Sequence, residues 1–321
     1  MEREEVRRKM NEWGQRGVPF LFVIDFEMQK PWVLPLADVN AHDALFSFRG
    51  HTNAPAKSST VKLLRVKATS KQLYQSKFDR VLYHLSRGDS FLTNLTVESE
   101  VEIAGNLQDV FYASNAPYRF WMRDAFVCFS PESFVRVSEG HISTFPMKGT
   151  IDASVPNAPA ILLNDQKETA EHTTIVDLLR NDLSSVAQHV HVKRFRYLEE
   201  VKTDTGAILQ ASSEIVGELL PYLHQRLGDV IFSLLPAGSI SGAPKEKTCR
   251  IIQETEDAPR GYYTGVAGIF DGHQLDSAVL IRFIEQRGDR YYYRSGGGIT
   301  TQSDPDAEYQ EVLKKIYVSV G

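Results

Sequence analysis

Strand-patterned stretches recur along this chain with helices between them but with no regular strand-helix-strand period, and this constrains the fold most. The pattern predicts a helix over residues 1–17, then an apolar strand, Pro19-Phe-Leu-Phe-Val-Ile-Asp-Phe26, of the kind buried in a sheet. Further strands are expected near 91–103, 118–122, 125–129, 133–138, 190–196, 207–217, 264–270, 276–285 and 290–294. Helices are expected near 70–87, 107–113, 166–182, 222–229, 244–254 and from 304 onward. Such an order predicts an α+β fold with large, mostly antiparallel sheets. Residues 49–60 are turn-rich, which divides the chain into a strand-containing segment, 1–60, packing on the same fold, and a main domain, 61–321.

With 321 residues, 42% of them hydrophobic, the chain can bury a large core. A formal net charge of -5 and the absence of any long basic run argue against nucleic acid as a partner. The two cysteines, Cys128 and Cys249, lack metal-ligand spacing, so neither a disulfide framework nor a cysteine-based zinc site is expected. No apolar run reaches the roughly 18 residues that span a bilayer, and the charged N-terminus is no secretory signal, so a cytoplasmic protein without membrane contact is expected.

Two helices carry carboxylates in a telling pattern. In Lys167–Leu183, Glu168, Glu171, Ile175 and Leu179 share one face, so two charges sit on the apolar side and call for a positive partner. In the last helix Asp304 is the expected N-cap and Pro305 the first helical residue, while Glu308, Glu311 and Lys315 lie three and four apart. The spacing admits two readings, surface ion pairs or an oxygen-ligand site of the kind magnesium prefers. By residue type alone, Lys148 is a loop lysine, Ser130-Pro-Glu132 a turn and Gly296-Gly-Gly298 a tight approach of backbone. The Gly-rich stretch 238–245 lacks the spacing of a phosphate-binding P-loop.

Taken together, these segments resemble the chorismate-utilising enzymes. Glu171-His-Thr-Thr-Ile-Val-Asp-Leu-Leu-Arg-Asn-Asp-Leu183 is similar to their helix signature. Ser130-Pro-Glu132, Gly238-Ser-Ile-Ser-Gly-Ala-Pro-Lys245, Gly296-Gly-Gly-Ile299 and Glu308-Tyr-Gln-Glu311 resemble other family motifs in the same order, over about residues 74–318. The resemblance implies an anthranilate-synthase-like fold, two sheets packed as a sandwich with helices outside. Within the family, Pro146-Met-Lys-Gly-Thr150, with its lysine sixteen residues after Glu132, is most similar to the short form of aminodeoxychorismate synthase component I. Anthranilate synthases carry alanine at the lysine position. Isochorismate and salicylate synthases use a water-activating lysine where this chain has Leu92.

That resemblance implies a reaction: amination of chorismate to 4-amino-4-deoxychorismate, on the way to para-aminobenzoate and folate. The ammonia would be free or delivered by a glutamine amidotransferase subunit. It implies Lys148 as covalent nucleophile and Glu132 as general acid, and Glu171 and Glu311, with Glu168 and Glu308 beside them, as ligands of Mg²⁺. It further implies Thr150, Tyr263, Arg282, Gly296 and Lys315 as substrate contacts. A lysine at its ordinary pKa is neutral about once in 2,500 molecules at pH 7, so a site using Lys148 is expected to lower that value. Asp177, Arg180, Asn181 and Asp182 are expected to tie their helix to neighbouring elements. Relatives with a tryptophan pocket have a larger N-terminal portion than the roughly 70 residues preceding the resemblance here, so tryptophan regulation is not expected. Leu92 and Gln210 depart from the aminating relatives. The competing readings are an anthranilate-forming chorismate lyase and a chorismate-binding subunit without activity.

Overall fold

In the computed structural model, which describes residues 1–203 and 206–318, the strands form two nine-stranded sheets. Residues 319–321, the end of the expected main domain, lie outside the described residues. The expected α+β class, with large antiparallel sheets packed face to face and helices outside, is the observed one. Strand Phe20–Ile24 shows why. It is buried throughout, paired with Val266–Phe270 on one side and Trp32–Pro35 on the other. Phe20, Phe22 and Ile24 face a core shared with helices Arg3–Gln15, Gln166–Ser184 and Leu227–Leu234. Leu21 and Val23 face Phe120, Phe126, Cys128 and Phe283 of the second sheet. A strand covered on both faces reads as an unbroken apolar run, each such side chain contributing about 1.5–3 kcal/mol of burial.

The second sheet's outer side is covered by helix Leu107–Ala113 and by helices Lys71–Ser86, Lys245–Thr255 and Pro305–Lys314. The early residues contribute to both sheets, since strand Ala44–Phe48 pairs with Tyr118–Met122. Asp304 caps its helix as expected, accepting from the Ala307 amide at 2.8 Å, with Pro305 opening it.

Strands Trp32–Pro35, Ala44–Phe48, Lys62–Lys67 and His141–Thr144 and helix Ala158–Asn164 are not among the expected elements, and three expected features are placed differently. The run expected as one strand over 276–285 is two, Gln274–Val279 in the first sheet and Phe283–Arg287 in the second. The chain crosses between sheets at Leu280-Ile-Arg282, and because the residues on either side, 278–281 and 283–284, are apolar, the pattern carries no mark of the crossing. The helix expected near 222–229 begins later, at Leu227, after a short turn of helix at Pro221–Leu223. Lys148, expected on a loop, lies in strand Met147–Asp152.

A buried ion pair joins these layers. Glu256 and Arg260, with side chains 5% and 1% exposed, meet at 2.7 Å. Glu256 Oε1 also accepts from the Thr96 amide and hydroxyl, both at 2.9 Å. Arg260 donates to the carbonyls of Ile240 at 2.8 Å and Asn94 at 2.7 Å. Its own amide donates to Glu27, just beyond the Phe20–Ile24 strand. Removing one member strands the other charge in the interior, at a cost of about 3–5 kcal/mol. Glu256→Ala is therefore expected to lower the unfolding free energy by that amount in urea titration. A midpoint close to that of the parent protein would show that the pair does not hold the layers together.

Candidate active site

Residues from both sheets line a cleft of about 1710 Å³. Two side-by-side crossings between the sheets form part of its wall. Ser130-Pro-Glu132 leads from strand Phe126–Ser130 of the second sheet to Ser133–Ser138 of the first, and Leu280–Arg282 leads back. They are bonded to each other, the Val279 amide donating to the Glu132 carbonyl at 3.2 Å and the Phe129 amide to that of Arg282 at 3.0 Å. Arg282 is thus not on a strand, as its sequence context suggests, but at the turn between two, with φ +53°.

Lys148 reaches the cleft through a bulge. Its strand pairs with Gly206–Leu219 so that Met147 faces Ser212 and Thr150 faces Gln210, one residue too many for a regular ladder. Such an insertion re-aims the side chains around it. Gly149 supplies the left-handed backbone at φ +82°, and a Cβ there would meet Leu162 at 3.0 Å and Glu168 at 3.1 Å. Lys148 Nζ consequently sits 2.6 Å from Glu171 Oε2.

The two carboxylate helices converge here, and each finds the positive partner its burial demands. Glu171 is paired with Lys148 and, at 3.8 Å, with Lys167, while Glu311 is paired with Lys315 at 2.7 Å. Burial pushes the Glu168 carboxyl above its usual range, opposed by Lys148 and reinforced by Glu171. Burial does the same to Glu308. Glu311 goes the other way: burial pushes it up, but Lys315, Lys148 and Lys167 together pull it below its usual range. For Lys148 the expected lowering is not what the structure gives: burial pulls its pKa down, but Glu171, with Glu311 and Glu168 beyond, raises it further than burial lowers it. Lys315, by contrast, is held below the usual lysine range, chiefly by burial.

Ten of the eleven expected site residues line the cleft: Glu132, Lys148, Thr150, Glu168, Glu171, Tyr263, Arg282, Gly296, Glu311 and Lys315. Glu308 lies behind them, 4% exposed. A Cβ at Gly296 would stand 2.4 Å from the Leu95 carbonyl, so only glycine lets these strands come together there, and its carbonyl accepts from Lys315 Nζ at 2.8 Å. Tyr263 is buried with Arg294 over its ring at 5.3 Å, and Arg282 Nε donates to the Tyr317 hydroxyl at 3.2 Å. The departures Leu92 and Gln210 also line the cleft. Of the helix residues expected to tie elements together, Asp182 does so, 2.9 Å from Lys245, whereas Asp177 and Arg180 pair with each other at the surface.

Burial drives the Glu132 carboxyl above its usual range, while a hydrogen bond from Ser239 and the charges of Arg282 and Lys315 pull it back. Two groups here escaped the sequence reading although both lie inside quoted motifs. Ser239 donates to Glu132 Oε1 at 2.5 Å. His172, fully buried, pairs with the Ser213 hydroxyl at 2.6 Å, and burial first, then the charge of Arg196, holds its pKa at about 4, so it is neutral. Motif order carries no signal for either contact.

The donor set suits a hard cation. All four candidate ligands are carboxylates, and Glu168 Oε2 is buried without a hydrogen-bond partner. Among the described residues no three such groups are already gathered around one point.

The fold and site define a protein of the class that carries a large, charge-lined cleft between two antiparallel sheets. More particularly, residues 25–320 match the chorismate binding enzyme family, and the chain belongs to it. An uncharacterised PabA-like protein of Pasteurella multocida is 49% identical over 320 residues, covering 98% of both chains. Aminodeoxychorismate synthase component 1 of Salmonella typhimurium is 32% identical over 295 residues, 87% of this chain and 64% of that protein. The crystal structure of anthranilate synthase component I from Streptococcus pneumoniae superposes with a TM-score of 0.69 at 30% identity, covering 82% of this chain and 61% of that one. The chain thus spans less than two thirds of these last two proteins. Among the described residues no helix is long and apolar enough to cross a membrane.

Gly149→Ala would force a side chain into left-handed backbone between Leu162 and Glu168. It is expected to lower stability by about 1–2 kcal/mol in urea titration. An unchanged midpoint would mean that the bulge does not depend on glycine.

Proposed function

We propose that the chain aminates chorismate to 4-amino-4-deoxychorismate, with ammonia as the nitrogen source and Lys148 as covalent nucleophile. The observation that carries this reading is a bulge-directed lysine, 2.6 Å from Glu171, in the same cleft as a half-buried Glu132. Lys148 is 28% exposed, which lets its proton leave to water. Its neutral amine bonds to ring carbon C2, the two ring double bonds each shift one position, and the C4–O bond breaks. Glu132 delivers a proton to that oxygen, which departs as water. Ammonia then bonds to C4, the double bonds return, and the C2–N bond breaks to free Lys148. The surplus proton on the new amine restores the acid form of Glu132. One difficult substitution thereby becomes two easier ones.

Arg282 and Tyr263 suit a carboxylate of the substrate, the arginine by its planar pair of donors. Lys315 is hydrogen-bonded to the Gly296 carbonyl, and Thr150 lines the cleft two residues beyond Lys148. Magnesium would be held by Glu171 and Glu311 with Glu168 and Glu308 beside them, and when bound would supply a hard positive centre for the C1 carboxylate. The ammonia comes free or from a glutamine amidotransferase partner, and the product leads toward para-aminobenzoate and folate in the cytoplasm. Lys148 disfavours an anthranilate-forming lyase, and the complete set of Glu132, Lys148, Glu171 and Glu311 disfavours an inactive binding subunit.

Purified protein with Mg²⁺, chorismate and an ammonium salt is expected to form 4-amino-4-deoxychorismate, resolved by chromatography and mass. Anthranilate or isochorismate as the main product would overturn the reading. Lys148→Ala should lose most of the amination while still binding chorismate. Mg²⁺ alone, at about a hundred times its dissociation constant, should stabilise the protein by about 2.7 kcal/mol in thermal melting, and Glu171→Gln should abolish the gain. Equal gains in both proteins would place the metal elsewhere.

A further inference from the structure

We infer that Ser239 is the positioning residue of the general acid, its hydroxyl fixing the Glu132 carboxyl in the orientation that serves the leaving oxygen. This rests on the role given to Glu132 above. The backbone of Glu132 is pinned, its amide donating to Ser130 Oγ at 3.1 Å and its carbonyl accepting from Val279 at 3.2 Å. A glutamate side chain nonetheless has three rotatable bonds. Glu132 also lines a small cavity of about 10 Å³, whose other walls are largely Phe134, Pro146, Leu179, Ala237 and Val279. It also borders Thr144, whose hydroxyl is committed to the Phe134 carbonyl at 2.8 Å. The restraint that remains is the bond from Ser239 Oγ to Glu132 Oε1 at 2.5 Å. Among the described residues no hydrogen bond is made to Oε2, which leaves that oxygen available to the cleft.

Ser239 is itself held firmly. It sits in the short helical turn Gly238–Ile240, whose Ile240 carbonyl accepts from the buried Arg260 and whose Gly238 carbonyl accepts from the Ser241 amide. The charged groups facing Glu132 are Arg282 and Lys315, and both favour its ionised form, as does the serine bond; burial favours the acid. Removing the hydroxyl therefore has two effects of opposite sign. The acid loses its orientation, which slows proton delivery. Its carboxylate form also loses a stabilising donor, which carries the acid form to higher pH.

The test compares Ser239→Ala and Ser239→Thr with the parent protein, following chorismate consumption whatever the product. Ser239→Ala is expected to reduce kcat about tenfold to a hundredfold with little change in KM, the range of a lost hydrogen bond to a charged group. The alkaline limb of its kcat/KM profile should move to higher pH, because the active form is the protonated acid. Threonine keeps the hydroxyl and should restore both. A raised KM with an unmoved limb would overturn the proposal and make Ser239 a substrate contact instead. Carbon-13 NMR titration of labelled glutamate, with Glu132→Gln identifying the resonance, reads the same carboxyl without turnover. An upward-shifted titration in Ser239→Ala supports the proposal even if the parent protein consumes no chorismate, an outcome that would sink the functional reading alone; an unshifted titration refutes it.

Discussion

The structure depends on one charged contact that water does not reach. Arg260 and Glu256 lie where helix Lys245–Thr255 ends, and their hydrogen bonds run outward in three directions. One set goes to Thr96 and Asn94 in the longest strand of the second sheet, another to the Ile240 turn, and a third, through the amide of Arg260, to Glu27 beside the first sheet. A well-packed apolar replacement could match its stability, since two ions must be stripped of water to make it. What an apolar replacement lacks is direction. The guanidinium specifies where each carbonyl stands, and in doing so sets the Gly238–Ile240 turn and the segment carrying Tyr263 at fixed places on the cleft wall.

Charge in the cleft follows a different logic. Four carboxylates of the two helices enter it or lie just behind it, and Lys148, Lys167 and Lys315 stand among them. The two helices therefore pack closely without the repulsion that Glu168, Glu171, Glu308 and Glu311 would otherwise exert. For Lys148 this has a price in reactivity, because the carboxylate that compensates its charge also stabilises its ammonium form. Any cation that occupied Glu171 would compete directly with the lysine for that carboxylate. The same pairing that makes the cleft foldable thus favours the ammonium form of Lys148, and the covalent role proposed for it requires that this hold be released.

How much of this the sequence disclosed depended on whether the determinant was local. The last helix was legible because Asp304 and Pro305 mark its start chemically and Glu308, Glu311 and Lys315 follow from helical spacing. The pairing of Glu171 with a positive group was likewise foreseeable from a charge placed on an apolar face. Lys148 was misplaced on a loop because a bulge is a relation between two strands, Met147–Asp152 and Gly206–Leu219, and only the register reveals it. The crossing at Arg282 was invisible because the apolar residues on either side serve different sheets with the same alternation. Ser239 and Glu132 are 107 residues apart, so their contact belongs to the tertiary structure alone.

Two of the residues involved share a location. Glu132 and Arg282 occupy the two passages by which the chain leaves one sheet for the other, and the passages run side by side, bonded at Val279 and Phe129. A strand interior commits alternate side chains to its two packed faces, so in a sandwich covered on all sides it has few positions to offer a polar ligand. A crossing is free of that commitment: its backbone bonds go to neighbouring strand ends and to Gly265 and Thr264, and its side chains can turn toward the space between the sheets. The unusual φ of Arg282 fits this account, as a local conformational cost accepted where the chain must turn while aiming a guanidinium. The core of the sandwich therefore determines the site as much as the site's own residues do, because it fixes where the chain has to cross.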